Sequence, residues 1–245
     1  MPSSTTTPVP SGPPGLPESL IEALRQARAW GFLGDGPLDV HIAHAQGFAD
    51  AAENLTGTGT DLGSPSLDGE PAAGAWMDLG SGGGIPGLVL AHRWRDREAV
   101  FLDSNQRRAQ FLARVVEDLG WGDRVRLVAE RAEVVGRSQT FRGHFSLVVA
   151  RAFGPPPVTA ECAAPFLRLG GILIVSEPPG SSVDGNPEEA RWPVDDLAKV
   201  GLRPVSRWHG AFGYQVLRQS APCPPTFPRR VGVPGKRPLY RVGDG

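Results

Sequence analysis

The run from Trp76 to Gly87, WMDLGSGGGIPG, constrains the fold of this chain more than any other segment. A short apolar stretch carries Asp78, and a spaced glycine run leads from it into a helical pattern. Glycines let a turn pass close to a ligand because they carry no Cβ atom, and the first turn of the following helix offers free N–H groups. The pattern therefore predicts a strand, a tight turn and a helix around a nucleotide-type ligand.

Two cofactors compete for this turn. The spacing of Gly82, Gly84 and Gly87 also satisfies the dinucleotide fingerprint, and Asp103 follows near the distance expected for a ribose contact. Asp78 favours S-adenosylmethionine, because a carboxylate just before the glycines can pair with the amino group of a methionine moiety but opposes a pyrophosphate. The residues of this turn predicted to bind S-adenosylmethionine are Asp78, Leu79, Gly80, Gly82, Gly84 and Pro86.

Composition indicates a globular α/β enzyme: of 245 residues, 40% are hydrophobic and 21% charged, both ordinary proportions. The sequence has no apolar run of about 18 residues and no secretion signal, so we expect a cytoplasmic protein without a membrane span. Cys162 and Cys223 stand far apart and outside any metal-binding spacing, so no structural metal is expected.

Patterning divides the chain into five predicted segments. They are a disordered tail (1–15), an N-terminal helical cap (16–53), a linker (54–74), a Rossmann-like methyltransferase domain (75–220) and a basic C-terminal tail (221–245). The first segment is rich in Ser, Thr and Pro and has too few large apolar residues to offset the entropy of ordering. The second carries helical patterns over Pro17–Phe32 and Leu38–Ala52.

From residue 75 onward, strand and helix patterns alternate, which is typical of a parallel sheet with right-handed crossovers. Strands are predicted over 75–79, 99–102, 125–129, 145–150 and 172–176, with helices beginning near Ile85, Ser104, Arg131, Pro157 and Glu188. Two further runs, 203–208 and 214–218, can pair as an edge hairpin. We predict an α/β class I S-adenosylmethionine-dependent methyltransferase, a Rossmann-like doubly wound sheet with a short N-terminal helical extension.

Ligands of such sheets bind beyond the carboxyl ends of the strands. Asp103 ends the second strand and is predicted to accept the ribose hydroxyls, beside Ser104 as a cofactor contact and helix cap; the alternative is that Asp103 also only caps. After the third strand, the Ala132 amide and the Glu133 carboxylate are candidates for the adenine. The alternative is that Glu133 is an exposed glutamate near a helix N-terminus with no contact to the cofactor.

Arg151 and Phe153 follow the fourth strand, at the position where a methyl group would be delivered to an acceptor. Arg151 is predicted to orient the acceptor, as well as to contact the cofactor, and Phe153 to stack on the acceptor ring. A buried core aromatic is an equal alternative for Phe153.

With these motifs in order, the chain resembles the RsmG (GidB) family of small-subunit ribosomal RNA guanine-N7 methyltransferases over roughly residues 75 to 240. The matching segments are Asp78 to Gly87, Leu102-Asp103-Ser104, Ala150-Arg151-Ala152-Phe153 and the C-terminal run from Phe227 to Leu239. The resemblance implies methyl transfer to guanine N7 in 16S ribosomal RNA, with ribosomal RNA or the small ribosomal subunit as partner. Guanine N7 has an exposed lone pair and loses no proton on methylation, so positioning is the main requirement.

The sequence departs from the family where its fifth strand usually runs into a lysine, since Glu177 stands there. The N-terminal part is also shortened, and the segment from His41 to His44 resembles a degenerate version of the family's His-x-Leu-Asp-Ser run. These departures keep open a diverged class I methyltransferase acting on another RNA or on a small molecule. A nicotinamide oxidoreductase is disfavoured because the chain has no Tyr-x-x-x-Lys pair, and a non-catalytic RNA-binding module is the remaining alternative.

The C-terminal part of the chain is basic. From residue 201 to 245, eight arginines and lysines stand against one acidic residue, Asp244, although the whole chain has a net charge of −1. Two interpretations of this charge stay open: contact with RNA phosphates, and a solvated basic tail that contacts no RNA. The candidate RNA-binding residues are Arg229, Arg230, Lys236 and Arg237.

Overall fold

The structure, a computed structural model, describes residues 15–55, 74–178, 191–209 and 211–242. Its strands are β1 (Trp76–Leu79), β2 (Ala99–Leu102), β3 (Val125–Val128), β4 (Phe145–Ala150), β5 (Leu167–Ser176), β6 (Leu202–His209) and β7 (Gly213–Gln219). Its α-helices are α1 (Glu18–Ala29), α2 (Leu38–Asn54), α3 (Gly87–Arg93), α4 (Gln106–Asp118), α5 (Ala132–Val135), α6 (Pro156–Ala163), α7 (Val194–Ala198) and α8 (Val233–Lys236). A 3₁₀ turn, Ala164–Phe166, joins α6 to β5.

The seven strands form one sheet in the order β3-β2-β1-β4-β5-β7-β6. Strands β1 to β5 pair in parallel, and β7 lies antiparallel between β5 and β6. Parallel strands end at the same edge of a sheet, and the reversal of strand order at β1 and β4 creates a crevice there. The predicted α/β fold class is confirmed, including the edge hairpin.

Buried side chains divide into two clusters, as expected for a sheet whose strands alternate sides. Along β1, Trp76 joins the cluster that includes apolar residues of α1 to α4, whereas Met77 and Leu79 join the cluster that includes α5, α6 and α7. Among the described residues, helices therefore pack on both faces of the sheet.

The N-terminal helices belong to the first of these clusters. Gly47 of α2 lies so close to Tyr214 of β7 that a Cβ atom would overlap the phenol, and the Tyr214 hydroxyl donates to the His44 carbonyl at 2.6 Å. Glu53 near the end of α2 accepts from the indole of Trp94 and forms an ion pair with Arg93. Helix α2 is thereby fixed against β7 and the end of α3.

Two details differ from the sequence prediction. Asn105, not Ser104, caps α4: its side chain accepts from the two backbone N–H groups of residues 107 and 108. Strand β5 begins at Leu167 rather than Ile172, because the Gly170-Gly171 pair, unfavourable in a strand pattern, lies inside it. The helix predicted near Glu188 lies outside the described residues, as does nearly all of the predicted tail 1–15 and linker 54–74.

Candidate active site

Asp78 occupies β1 with its carboxyl group fully buried. Its Oδ2 accepts a hydrogen bond of 2.9 Å from the N–H of Gly87, the first residue of α3, whereas its buried Oδ1 has no hydrogen-bond partner among the described residues. Burial raises the pKa of Asp78 to about 7, although the Gly87 N–H favours the charged form. An unpaired carboxylate oxygen at this position fits the cationic amino group predicted for the cofactor.

Two glycines of the turn are required by geometry. Gly80 has φ +80°, in the left-handed region, and a Cβ atom there would lie only 2.7 Å from Cδ2 of Phe153. At Gly87, a Cβ atom would overlap the Asp78 carboxylate. The glycine run thus permits the close approach of Phe153 and the burial of Asp78, beyond merely allowing a turn.

Asp103, directly after β2, braces the glycine turn. Its Oδ2 accepts from the N–H of Gly82 at 2.8 Å, and its Oδ1 accepts from the N–H of Asn105 at 2.7 Å. Each carboxylate oxygen can accept a second hydrogen bond, so the group can hold the loop and still accept ribose hydroxyls. Its ribose role remains a prediction, whereas the alternative, a helix cap, is not observed, because Asn105 caps α4 and Asp103 holds the N–H of Asn105.

A cavity of about 270 Å³ lies at the carboxyl ends of β1 to β4. Its walls come from the segments after these strands and from the C-terminal region; they include Gly80, Asp103, Ser104, Ala132, Glu133, Phe153, Gly232 and Gly235. Five of the eleven predicted cofactor residues therefore line one cavity, and Asp78 and Arg151 are not among them. Leu79, Gly82, Gly84 and Pro86 shape the adjoining turn without lining this cavity.

Glu133 is almost completely buried at the start of α5. Its Oε1 accepts from the Arg131 guanidinium and from the N–H of Gly232, both at 3.0 Å. Burial alone would raise the pKa of Glu133, but the hydrogen bonds from Arg131 and Gly232 outweigh it and hold the pKa below its usual range. The carboxylate thus tethers the C-terminal segment to the cavity, and a contact with adenine remains a prediction.

Arg151, the first residue after β4, is held by helix α2. One of its terminal nitrogens lies 2.8 Å from Nδ1 of His41, and Nε2 of His41 lies 3.1 Å from the Gly34 carbonyl. A guanidinium only donates, so Nδ1 accepts and Nε2 carries the proton that is donated to Gly34. His41 therefore fixes one edge of the guanidinium. Sequence reasoning gave His41 no role, because no local pattern connects it to residue 151.

The backbone between Arg151 and Phe153 is strained. Ala152 has φ +51°, in the left-handed region, where a non-glycine residue is uncommon. Such strain persists only when the surrounding structure over-determines the conformation, and it concentrates at functional sites. Here the turn directs Arg151 toward His41 and Phe153 toward Gly80. Nearby, burial, the Arg151 charge and His41 lower the pKa of His44 to about 4, so that His44 is neutral at pH 7.

A larger cavity, of about 430 Å³, adjoins the carboxyl ends of β4 and β5. Glu177 lines it, but the Glu177 side chain is only 1% exposed. One oxygen accepts from the Trp192 indole at 2.7 Å, and the other forms an ion pair of 2.8 Å with Arg191 and a longer one with Arg207. Glu177 is thus held by a structural network.

The C-terminal segment packs on α6. The carboxylate of Glu161, with an exposure of 0%, binds the backbone N–H and the guanidinium of Arg229. Arg142 donates to the carbonyls of Cys223, Pro224 and Phe227. These contacts place Gly232 and Gly235 in the wall of the cavity of about 270 Å³.

The four predicted RNA-binding residues fall into two groups. The Arg229 guanidinium is bound by Glu161, whereas Arg230, Lys236 and Arg237 are exposed. Within the described part of the chain, no ion pair engages these three exposed side chains, so they remain candidates for RNA phosphates. Sequence reasoning missed Glu161 and Arg142, whose contacts join residues more than 60 positions apart.

The fold and the site together define a class I S-adenosylmethionine-dependent methyltransferase. The glycine turn after β1, the carboxylate after β2 and the antiparallel β7 between β5 and β6 are the features of that class. When bound, the cofactor supplies an electrophilic sulfonium methyl group.

Comparisons with known proteins agree with this assignment. The family described as rRNA small subunit methyltransferase G matches residues 64–182. Ribosomal RNA small subunit methyltransferase G of Prochlorococcus marinus (strain MIT 9303) is 38% identical over 165 residues, which are 66% of this chain and 67% of that protein. The protein of the same name from Thermotoga neapolitana is 38% identical over 174 residues, 69% of this chain and 73% of that protein.

Solved structures are similar in fold. Cofactor-bound Rv0187 from MTB has a TM-score of 0.56 at 17% identity and covers 88% of this chain and 99% of its own. A putative O-methyltransferase from Klebsiella pneumoniae has a TM-score of 0.55 at 16% identity, with coverages of 85% and 92%.

This chain belongs to the rRNA small subunit methyltransferase G family. Membership confirms the predicted enzyme class, a methyltransferase, and the predicted cofactor, S-adenosylmethionine. None of the helices in the described ranges is long and apolar enough to cross a membrane.

Proposed function

We propose that this protein transfers the methyl group of S-adenosylmethionine to N7 of a guanine in the ribosomal RNA of the small subunit. Family membership supports the ribosomal RNA acceptor, since the relatives are named for it. The observation that carries the site assignment is the position of Arg151 directly after β4, where His41 fixes it. Phe153, two residues later, lines the cavity of about 270 Å³, which we assign to the cofactor and call the cofactor cavity.

The chemistry requires orientation more than acid or base catalysis. Guanine N7 attacks through a lone pair and has no proton to lose, so a general base would have nothing to remove. Arg151 can donate hydrogen bonds to guanine O6 and leave N7 free, since a guanidinium has five N–H donors and only one edge is occupied by His41. Phe153 offers an aromatic surface for the guanine ring.

In the cofactor half, we assign Asp78 to the amino group and Asp103 to the ribose hydroxyls. The unpaired, buried Oδ1 of Asp78 supports the first assignment, and the spare lone pairs of Asp103 support the second. Ser104 and Ala132 line the cavity and complete the proposed contact surface.

The test is transfer of labelled methyl from S-adenosylmethionine to small subunits, and to their free ribosomal RNA, from cells lacking guanine-N7 modification. Incorporation should map to one guanine N7 and fall by about 100-fold or more in Arg151→Ala, because misplacement of reacting groups by about 1 Å costs that much. Arg203→Ala, an exposed arginine at the amino end of β6, is the matched control and should keep full activity. Cofactor binding without RNA labelling would refute the proposed acceptor.

The exposed cations of the C-terminal segment distinguish an RNA substrate from a small molecule. Replacing Arg230, Lys236 and Arg237 together by alanine should weaken RNA binding and reduce the slope of log K against log salt by about 2, since each contact with single-stranded RNA contributes about 0.7. A small-molecule acceptor would leave turnover of the triple variant unchanged, a result that would exclude phosphate contact here.

A further inference from the structure

A groove of about 300 Å³ lies between the end of α1 and helix α4, outside the cofactor cavity. It is lined by Trp30, Phe32, Arg107, Gln110 and Arg114. Trp30 is 46% exposed, which is unusual for so large an apolar side chain. The combination of an open indole with two arginines distinguishes this groove from an ordinary surface depression.

The aromatic part of the groove is rigid. The ring of Trp30 contacts those of Phe32 and Phe111 edge-on, with centroids 5.8 and 5.3 Å apart, and Phe111 is buried in the core. Edge-to-face contacts of this kind hold an aromatic ring in one orientation. Trp30 therefore presents a fixed, partly open surface that can stack on a planar ring without a large loss of side-chain entropy.

The polar part of the groove is cationic. Arg107, Gln110 and Arg114 are exposed and follow one another at intervals of three and four residues, so they lie on one side of α4. No carboxylate in the described ranges forms an ion pair with either arginine. On α1, by contrast, Arg25 is paired with two glutamates. The two guanidinium groups in the groove are therefore available to an anionic partner.

The segment after Trp30 connects the groove to the active site. The Phe32 carbonyl lies against Gly83 of the cofactor turn, where a Cβ atom would come within 2.9 Å of it, and the Gly34 carbonyl receives the His41 hydrogen bond. His41 in turn holds Arg151. Gly34 follows Trp30 by four positions along the chain, so their Cα atoms are at most about 14 Å apart.

We propose that this groove, defined by Trp30, Arg107, Gln110 and Arg114, binds an unpaired stretch of the substrate RNA a few nucleotides from the target guanine. A base stacks on Trp30, the phosphates contact the two arginines, and Gln110 donates to or accepts from the sugar or base. Aromatic platforms beside cations are the usual way in which proteins bind single-stranded nucleic acid. The proposal rests on the proposed RNA acceptor and adds the place where the flanking strand is held.

The test measures the full-length protein in two assays, binding of a fluorescent single-stranded RNA oligonucleotide and methyl transfer to small subunits. Arg107→Ala/Arg114→Ala should reduce the slope of log K against log salt by about 1.4. Trp30→Leu should weaken oligonucleotide binding and raise KM for the subunit about tenfold, within the range found for loss of one base stack. In both variants kcat at saturating substrate should stay unchanged, and Trp30→Tyr should restore most of the affinity.

The matched control is Arg137→Ala/Arg203→Ala, which removes the same charge from two exposed positions outside the groove and should behave as wild type. Unchanged cofactor affinity and melting temperature exclude misfolding of the variants. If Trp30→Leu fails to fold, the Arg107→Ala/Arg114→Ala variant alone tests the proposal.

Wild-type oligonucleotide affinity in the groove variants, or no RNA binding by the wild type, would overturn the proposal. A dimer that dissociates on Trp30→Leu would also overturn it and make the groove a contact between copies of the chain. RNA binding that depends on the groove, without methyl transfer to ribosomal RNA, would support the groove as an RNA-binding site and refute the proposed function.

Discussion

The Asp78→Asn substitution gives the sharpest test of how the cofactor half works. Asparagine keeps an acceptor for the Gly87 N–H but cannot become an anion, so the geometry of the turn is retained while the charge is lost. If the Asp78 carboxylate pairs with the amino group of S-adenosylmethionine, cofactor binding by the wild type must depend on its ionisation. Cofactor binding by the Asp78→Asn variant must not depend on an ionisation at this position.

The size of this effect follows from the Asp78 pKa of about 7. Only the ionised fraction is competent, about 9% at pH 6 and about 76% at pH 7.5, so the apparent affinity should rise about eightfold between these values. Above pH 8 the cofactor's own amino group loses its charge, which sets the upper limit of the useful range. Binding should release about 0.9 proton at pH 6 and almost none at pH 7.5, where proton uptake by the cofactor's partly deprotonated amino group offsets the release from Asp78.

The free energy of unfolding of the cofactor-free protein should fall as the pH rises, whereas the cofactor affinity rises. The folded pKa is raised from 3.8 to about 7, so the contribution of Asp78 to folding is full below pH 4 and is lost as the pH rises through 7. The loss amounts to about 4 kcal/mol above pH 7, at 1.36 kcal/mol per pKa unit. Asp78→Asn escapes this penalty, although its buried amide group costs about 1–3 kcal/mol if it finds no acceptor. The variant should therefore melt higher than the wild type at pH 8.

Isothermal titration calorimetry in two buffers of different ionisation enthalpy measures both the affinity and the proton release. The reasoning would be refuted by a wild-type affinity that is the same at pH 6 and pH 7.5, or by Asp78→Asn binding the cofactor as tightly as the wild type at pH 7.5. Equal melting temperatures of the two proteins at pH 8 would contradict the role of burial.

Three further variants test other parts of the site. Gly80→Ala should abolish cofactor binding while circular dichroism stays native, since the left-handed backbone costs about 1–2 kcal/mol and the Cβ atom displaces the neighbouring ring; retained cofactor affinity would contradict the close approach. Glu161→Gln should lower the free energy of unfolding by about 3 kcal/mol, because it leaves Arg229 without its buried partner; denaturant melting measures this, and a wild-type midpoint would count against it. His41→Ala should lower kcat about tenfold or more at unchanged cofactor affinity by releasing Arg151, and His41→Gln should restore part of the rate; equal rates of all three proteins would show that the contact does not position the guanidinium.

Much of the fold could be predicted from the sequence because its signals are local. Most of the parallel strands are short apolar runs, and a glycine directly follows β1, precedes β6 and begins β7. Local signals failed where two of them conflicted. Asn105 and Ser104 are both good cap residues, and only the backbone path decides which side chain reaches the N–H groups of α4.

The candidate site was less predictable because its contacts join distant segments. The positions of Asp78, Asp103 and Arg151 follow from the rule that ligands bind at strand ends. Nothing in the sequence near Arg151 indicates that a histidine 110 residues earlier would bind it, or that Glu161 would bind Arg229 68 residues later. Such pairs depend on which helices pack together, and that is set by the complete core.

The tether between Glu133 and Gly232, together with the pairing of Glu161 with Arg229, has a consequence for biosynthesis. A wall of the cofactor cavity is made by residues that the ribosome adds late, after every strand of the sheet. During translation the nascent sheet can form, but it has no complete cofactor cavity until residues 229–235 have emerged and docked. A chain interrupted by a stop codon at position 221 would retain all seven strands and lack that wall.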